Sequence, residues 1–132
     1  MDTTLEIIGY LRSDIKTRDN APKQGSEGGI EAIVEINEKY KDALEGLKTG
    51  DEILLFSWLH KADRSYQKVH PRGDESRPKR GVFSTRSPDR PNPIGLHPVT
   101  ITAIDGCKIK VRPMEAIDGT PLVDIKNAQR KK

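Results

Sequence analysis

Val99-Thr100-Ile101-Thr102-Ala103-Ile104-Asp105-Gly106-Cys107-Lys108-Ile109-Lys110-Val111 is the stretch on which the fold turns. Val99, Ile101 and Ala103 fall at a period of two, and Ile109 and Val111 resume it beyond Asp105-Gly106. Alternate residues of a strand share one face, and Asp-Gly between two such runs is a strong hairpin signal. The pattern extends outward on both sides. Leu122 to Ile125 reads as a closing strand, Ile53 to Leu59 as a buried one, and Val82-Phe83 as a short one. Gly29 to Ile36 carries Ile30, Ala32, Val34 and Ile36 in step, and Leu5 to Arg12 opens the set. Asn37 is placed to cap a short helix predicted over Glu38 to Leu47, with Tyr40, Ala43, Leu44 and Leu47 on one face. About six or seven short strands and one short helix predict a mostly β chain. A small single-domain β-barrel is favoured because closure removes exposed strand edges. Strands do not alternate with helices, and neither GxGxxG nor GxxxxGK[ST] occurs, which argues against a doubly wound nucleotide fold.

Composition sets the outer bounds. The 132 residues suit one domain, with 33% apolar and 33% charged residues. So lean a core predicts added stability from pairing with a second copy, a homodimer. The longest unbroken apolar run, Ile53-Leu54-Leu55-Phe56, is far short of the roughly 20 residues that span a bilayer. Met1-Asp2-Thr3-Thr4 has neither the basic nor the apolar region of a secretory signal. Cys107, the single cysteine, excludes an intrachain disulfide and a thiolate metal cluster, and no metal site is expected. These features predict a cytoplasmic protein with no membrane partner. A net charge of +3 is too balanced to announce nucleic-acid binding by itself.

Three segments break the β pattern. Residues 13–29, with Pro22, Gly25, Gly28 and Gly29, are expected to form a long polar loop; residues 60–80 are polar and read as loop-like; and 84–93 is Pro-rich. Within Gly81-Val82-Phe83-Ser84-Thr85-Arg86-Ser87-Pro88-Asp89-Arg90-Pro91-Asn92-Pro93-Ile94-Gly95-Leu96, prolines fix φ and remove donors, so the loop is stiff before any ligand arrives. Arg86 and Arg90 would project guanidinium forks suited to carboxylate or phosphate; ordinary surface ion pairs with Asp89 or Glu75 are the plainer alternative.

That segment, GVFSTRSPDRPNPIGL, resembles the signature of the TsaA-like (TrmO/YaeB) family. Ile8-Gly9-Tyr10-Leu11-Arg12-Ser13, Phe56-Ser57-Trp58-Leu59-His60-Lys61 and the run from Asp118 to Lys126 resemble its other elements, in order. The resemblance implies a small dimeric β-barrel that uses S-adenosylmethionine to methylate N6 of threonylcarbamoyladenosine beside the tRNA anticodon. Carried over by position, it implies cofactor contacts at Pro22, Lys23 and Gln24, at His60 and Lys61, at Arg86, at Leu96, and at Asp118, Gly119, Thr120 and Pro121. Lys23 stands where the family usually has arginine, replacing a fork with a point charge. Bacterial members continue into a second domain. This chain is expected to lack it, with 1–126 forming the methyltransferase domain and 127–132 a basic tail.

Methyl transfer from a sulfonium is an in-line displacement whose neutral thioether leaving group needs no acid, so alignment dominates. Loss of the acceptor's proton would help, and His60 or Asp118, or a backbone carbonyl or water, is expected to receive it. Each side chain has a structural alternative: a hydrogen-bonded histidine at a strand end, and a turn residue before Gly119. Arg86 is expected to pair the methionyl carboxylate, Leu96 to line the adenine, and the Asp118–Pro121 turn to accept from ammonium or ribose. Basic residues crowd the segment from Lys61 to Arg90, where Arg72, Arg80 and Arg90 are the expected contacts to an RNA backbone and Tyr66 a stacking platform. His70 and His97, in Pro-rich surroundings, read as surface residues. The rival functions are methyl transfer to another acceptor and a non-catalytic RNA-binding barrel.

Overall fold

The computed structural model describes residues 1–15 and 30–128. Its strands are β1 (Gly9–Arg12), β2 (Ile30–Ile36), β3 (Glu52–Trp58), β4 (Lys68–Val69), β5 (Arg80–Gly81), β6 (Ile94–Asp105), β7 (Lys108–Met114) and β8 (Pro121–Asn127). Six of them close into an antiparallel barrel in the order β1-β2-β7-β6-β3-β8, while β4 and β5 form a separate two-stranded ribbon. The small, mostly β barrel expected from the sequence is therefore the fold.

The hairpin that organises the sequence organises the barrel. Asp105 pairs with Lys108 across a two-residue turn whose first central residue, Gly106, has φ of 60°. That positive φ matches the primed turns whose twist suits a hairpin. Alternation then fills the interior: Val99 and Ile101 from β6, Ile109 and Val111 from β7, Ala32, Val34 and Ile36 from β2, Ile53 and Leu55 from β3, with Leu11 and Leu122. Each fully buried aliphatic side chain contributes about 1.5–3 kcal/mol.

β6 is the longest strand and serves two ladders. Ile94 to Thr100 pair with Trp58 to Glu52 of β3, whereas Thr100 to Asp105 pair with β7. Pro98 is tolerated in mid-strand because it lies in the half where β6 has β3 on one side and no β7 ladder on the other.

Several elements differ from expectation. The opening strand is confined to Gly9–Arg12, although the Ile8 amide already donates to the Leu122 carbonyl at 2.9 Å. The helix after Asn37 is a 3-10 helix, Glu38–Leu44; Asn37 does cap it, accepting from the Lys39 amide at 3.1 Å. Tyr40, Leu44 and Leu47 pack against the core, but Ala43 is exposed. Val82-Phe83 is not a strand: Val82–Ser84 is a helical turn, because the Val82 carbonyl accepts from the Thr85 amide and hydroxyl rather than from a neighbouring strand. Segment 60–80, read as loop, holds both strands' start points for the ribbon, β4 and the first residue of β5. Among the described residues no helix is long and apolar enough to cross a membrane.

Candidate functional site

Where the barrel interior ends, it turns polar. The inward row of β3 runs Ile53, Leu55, Ser57, and that of β6 runs Ile101, Val99, His97, Gly95, so Ser57 and His97 follow the aliphatic residues in phase. An open cleft of about 1080 Å³ lies at this end, walled by β6, by the chain after β3, by the ribbon and by the loop from Ser84 to Arg90. Its size suits a drug-sized or cofactor-sized ligand.

The proline-rich loop takes its shape from two arginines. The half-buried Arg90 guanidinium donates from Nη1 to the carbonyls of Thr85 and Ser87, each at 3.1 Å, and from Nη2 to that of Val82. Arg64 donates to the Pro91 carbonyl at 2.7 Å and to Asn92 Oδ1 at 3.2 Å, with its guanidinium 5.0 Å above the Trp58 ring. The Asp63 amide donates to Asp89 Oδ1 at 2.9 Å, joining the chain after β3 to the same loop. Arg86 differs: it is exposed, lines the cleft, and reaches the Leu96 carbonyl from Nη2 at 3.3 Å. Arg90 and Arg64 hold the loop together, and Arg86 is presented by it.

His60, Lys61, Arg80, Arg86, Arg90, Leu96 and Thr120 all line the cleft, drawn together from four separated stretches of sequence. Partial burial and the neighbouring Lys61 charge hold the His60 imidazole below its usual range, outweighing a hydrogen bond to the Trp58 backbone. It is therefore neutral near pH 7 and able to accept a proton. Tyr66 lines the cleft and is exposed.

The turn from Asp118 to Pro121 is divided between two surfaces. Thr120 is buried, donates from Oγ1 to the Ile117 carbonyl at 2.7 Å, and lines the cleft. Asp118 instead lines a smaller depression of about 350 Å³ with Arg12, Ser13 and Lys110. Its Oδ1 accepts from the Ser13 amide at 3.1 Å, and its own amide donates to the Ile15 carbonyl at 2.6 Å. The Gly119 amide donates to the Leu11 carbonyl at 2.7 Å, so this turn also closes β1 against β8. Gly119 and Pro121 are not among the residues facing the cleft. Pro22, Lys23 and Gln24 lie outside the described residues, and the Arg72 backbone lies in the helical turn Pro71–Gly73.

Of the two histidines read as surface residues, His70 keeps partial exposure and His97 is buried. His70 is half-buried in the cleft wall and donates from Nδ1 to the Arg77 carbonyl at 2.9 Å. His97 is only 3% exposed; its Nδ1 donates to Glu115 Oε1 at 2.7 Å, and its Nε2 meets Ser57 Oγ at 2.6 Å. The signal for His97 was its phase, two residues from Val99 on the inward row. Ser57 carries the same mark, two residues beyond Leu55 on its own inward row, whereas Glu115 carries none, and only the fold brings the three together.

Residues 10–130 match the family model described as the tRNA-methyltransferase O N-terminal domain. A probable S-adenosyl-L-methionine-binding protein of Methanothermobacter thermautotrophicus is 44% identical over 126 residues, covering 96% of this chain and 90% of that protein. An S-adenosyl-L-methionine-binding protein of Archaeoglobus fulgidus is 40% identical over 122 residues, covering 92% and 86%. A crystal structure of TrmO from Pseudomonas aeruginosa superposes with a TM-score of 0.76 at 28% identity, covering 98% of this chain and 55% of that one. This chain thus spans little more than half the length of that solved structure.

Proposed function

The chain belongs to the family of the tRNA-methyltransferase O N-terminal domain, and from that premise we propose that it is an S-adenosylmethionine-dependent methyltransferase acting on tRNA. We assign N6 of threonylcarbamoyladenosine, beside the anticodon, as the acceptor. The observation that carries the reading is the convergence of His60, Lys61, Arg86, Leu96 and Thr120 on one cleft.

The residues fit such a cofactor. The cleft combines apolar lining from Leu59, Leu96 and Ile117 with a cationic rim, matching a molecule that has an adenine at one end and an amino acid at the other. Bound there, S-adenosylmethionine supplies an electrophilic methyl carbon on a sulfonium. The protein's share is alignment and removal of one proton. Arg86, exposed on a stiff loop, offers its fork to the methionyl carboxylate, and Leu96 lines the adenine. His60, held neutral, receives the acceptor's proton. Asp118, turned toward Ser13 and the smaller depression, shapes the turn and steadies the cofactor wall rather than taking the proton.

The RNA backbone lies along the basic side of the cleft, where Lys68, Arg77, Lys79 and Arg80 converge, with Arg72 on the same segment. Arg90, engaged by three carbonyls, contributes by shaping the loop beneath the RNA. The working form is a cytoplasmic homodimer. Isothermal titration with S-adenosylmethionine and S-adenosylhomocysteine tests the reading: saturable binding near one site per chain, weakened about tenfold or more in Arg86→Ala, is expected. A folded protein that binds neither would sink it.

A further inference from the structure

Glu115 is absent from every role assigned so far, yet it lies in the cleft wall with 19% of its side chain exposed. Among the described residues its carboxylate has one hydrogen-bond partner, His97 Nδ1 on Oε1. His97 is fixed in turn by Ser57 Oγ on Nε2. The chain of contacts runs from β3 through β6 to the residue that follows β7. Gly95 makes it possible: it pairs with Ser57, and a Cβ there would stand 2.5 Å from Ser57 Oγ and 2.8 Å from His97 Nε2.

The atoms are those of a hydrolytic serine triad, but the exposure is not. Ser57 is fully buried, so its oxygen cannot reach a substrate carbonyl. Read from the other end, the chain makes sense. A buried hydroxyl and imidazole orient a carboxylate that is itself accessible from the cleft.

The other carboxylates lining the cleft are placed differently. Glu75 is exposed on the loop between the ribbon strands, and Asp89 accepts from the Asp63 amide. The rim is rich in cations, including Lys61, Arg77, Arg80 and Arg86. A zwitterionic amino-acid tail needs one partner of each sign, and an ammonium brings three N–H donors to a carboxylate, which a sulfonium cannot.

Resting on the methyltransferase reading above, we propose that Glu115 is a ligand-binding residue whose carboxylate receives the amino group of the cofactor's methionyl tail, with His97 and Ser57 as positioning residues. The test is titration of wild type, Glu115→Gln and Ser57→Ala with S-adenosylmethionine, S-adenosylhomocysteine and 5′-methylthioadenosine, which lacks the amino-acid tail. Wild type should bind all three. Glu115→Gln should weaken the two tailed ligands about 10- to 100-fold and leave the tailless one within about twofold. Ser57→Ala should show the same ligand pattern at smaller size, and it carries the test if Glu115→Gln does not fold. Equal weakening of all three, or of none, overturns the assignment while leaving the cofactor reading intact. Wild-type protein that binds none of them overturns both.

Discussion

An imidazole partly withdrawn from water and set beside a lysine loses its proton at lower pH than a free one, and His60 is in that position. The protonated form cannot accept, so activity should fall as pH drops through the lowered value. In the free enzyme, kcat/KM should rise with pH and level off below the usual histidine range of about 6.5. His60→Ala should lower kcat by about 100-fold or more and remove that acidic limb. A variant that keeps both rate and limb would transfer the proton to a backbone carbonyl or water. Legibility at this scale was uneven. Arg86 and Arg90 share a motif and a spacing, and nothing in the sequence separates a presented guanidinium from one turned onto three carbonyls. Asp118 looked as free as His60 until the fold set it against Ser13.

Elements were easier to read where side-chain phase alone decides them. The hairpin at Asp105-Gly106, the inward row of β2 and the buried run of β3 follow from alternation, and each formed within a residue or two of expectation. The first half of β6 was hidden because Pro93 and Pro98 bracket it, and its tolerance for Pro98 depends on which neighbour pairs there. The ribbon of β4 and β5 has only two residues per strand, too few for any period to show. The same half of β6 carries a sharp packing demand. Gly95→Ala would push a methyl group into Ser57 Oγ and His97 Nε2, and should destabilise the protein by about 1–3 kcal/mol. Denaturant titration measures it, and the Ser57→Ala background should recover part of the loss because the closer of the two contacts is gone. A neutral Gly95→Ala would mean that the strands separate more readily at this end than the register implies.

For the molecule as a whole, the question is how so lean a chain completes both a core and a site. The barrel interior is filled, yet several large apolar side chains remain outside it: Phe83 at 86% exposure, with Tyr66 and Ile94 among the residues at the cleft. Phe83 lies three residues before Arg86, in the helical turn that the Arg90 guanidinium braces. A rigid loop presenting an exposed aromatic has the makeup of an interface anchor, since such side chains lose little conformational freedom on docking. A second copy is the partner the lean composition calls for. Sedimentation should therefore show a dimer at micromolar concentration, and the melting temperature should rise with protein concentration, as mass action requires when only the folded form associates. Phe83→Glu should shift the population to monomer. If the second copy also steadies the loop that presents Arg86, the same variant should bind S-adenosylhomocysteine at least about tenfold more weakly. A monomeric wild type with undiminished binding would confine the site to one barrel and leave Phe83, exposed on its helical turn, with no part in association.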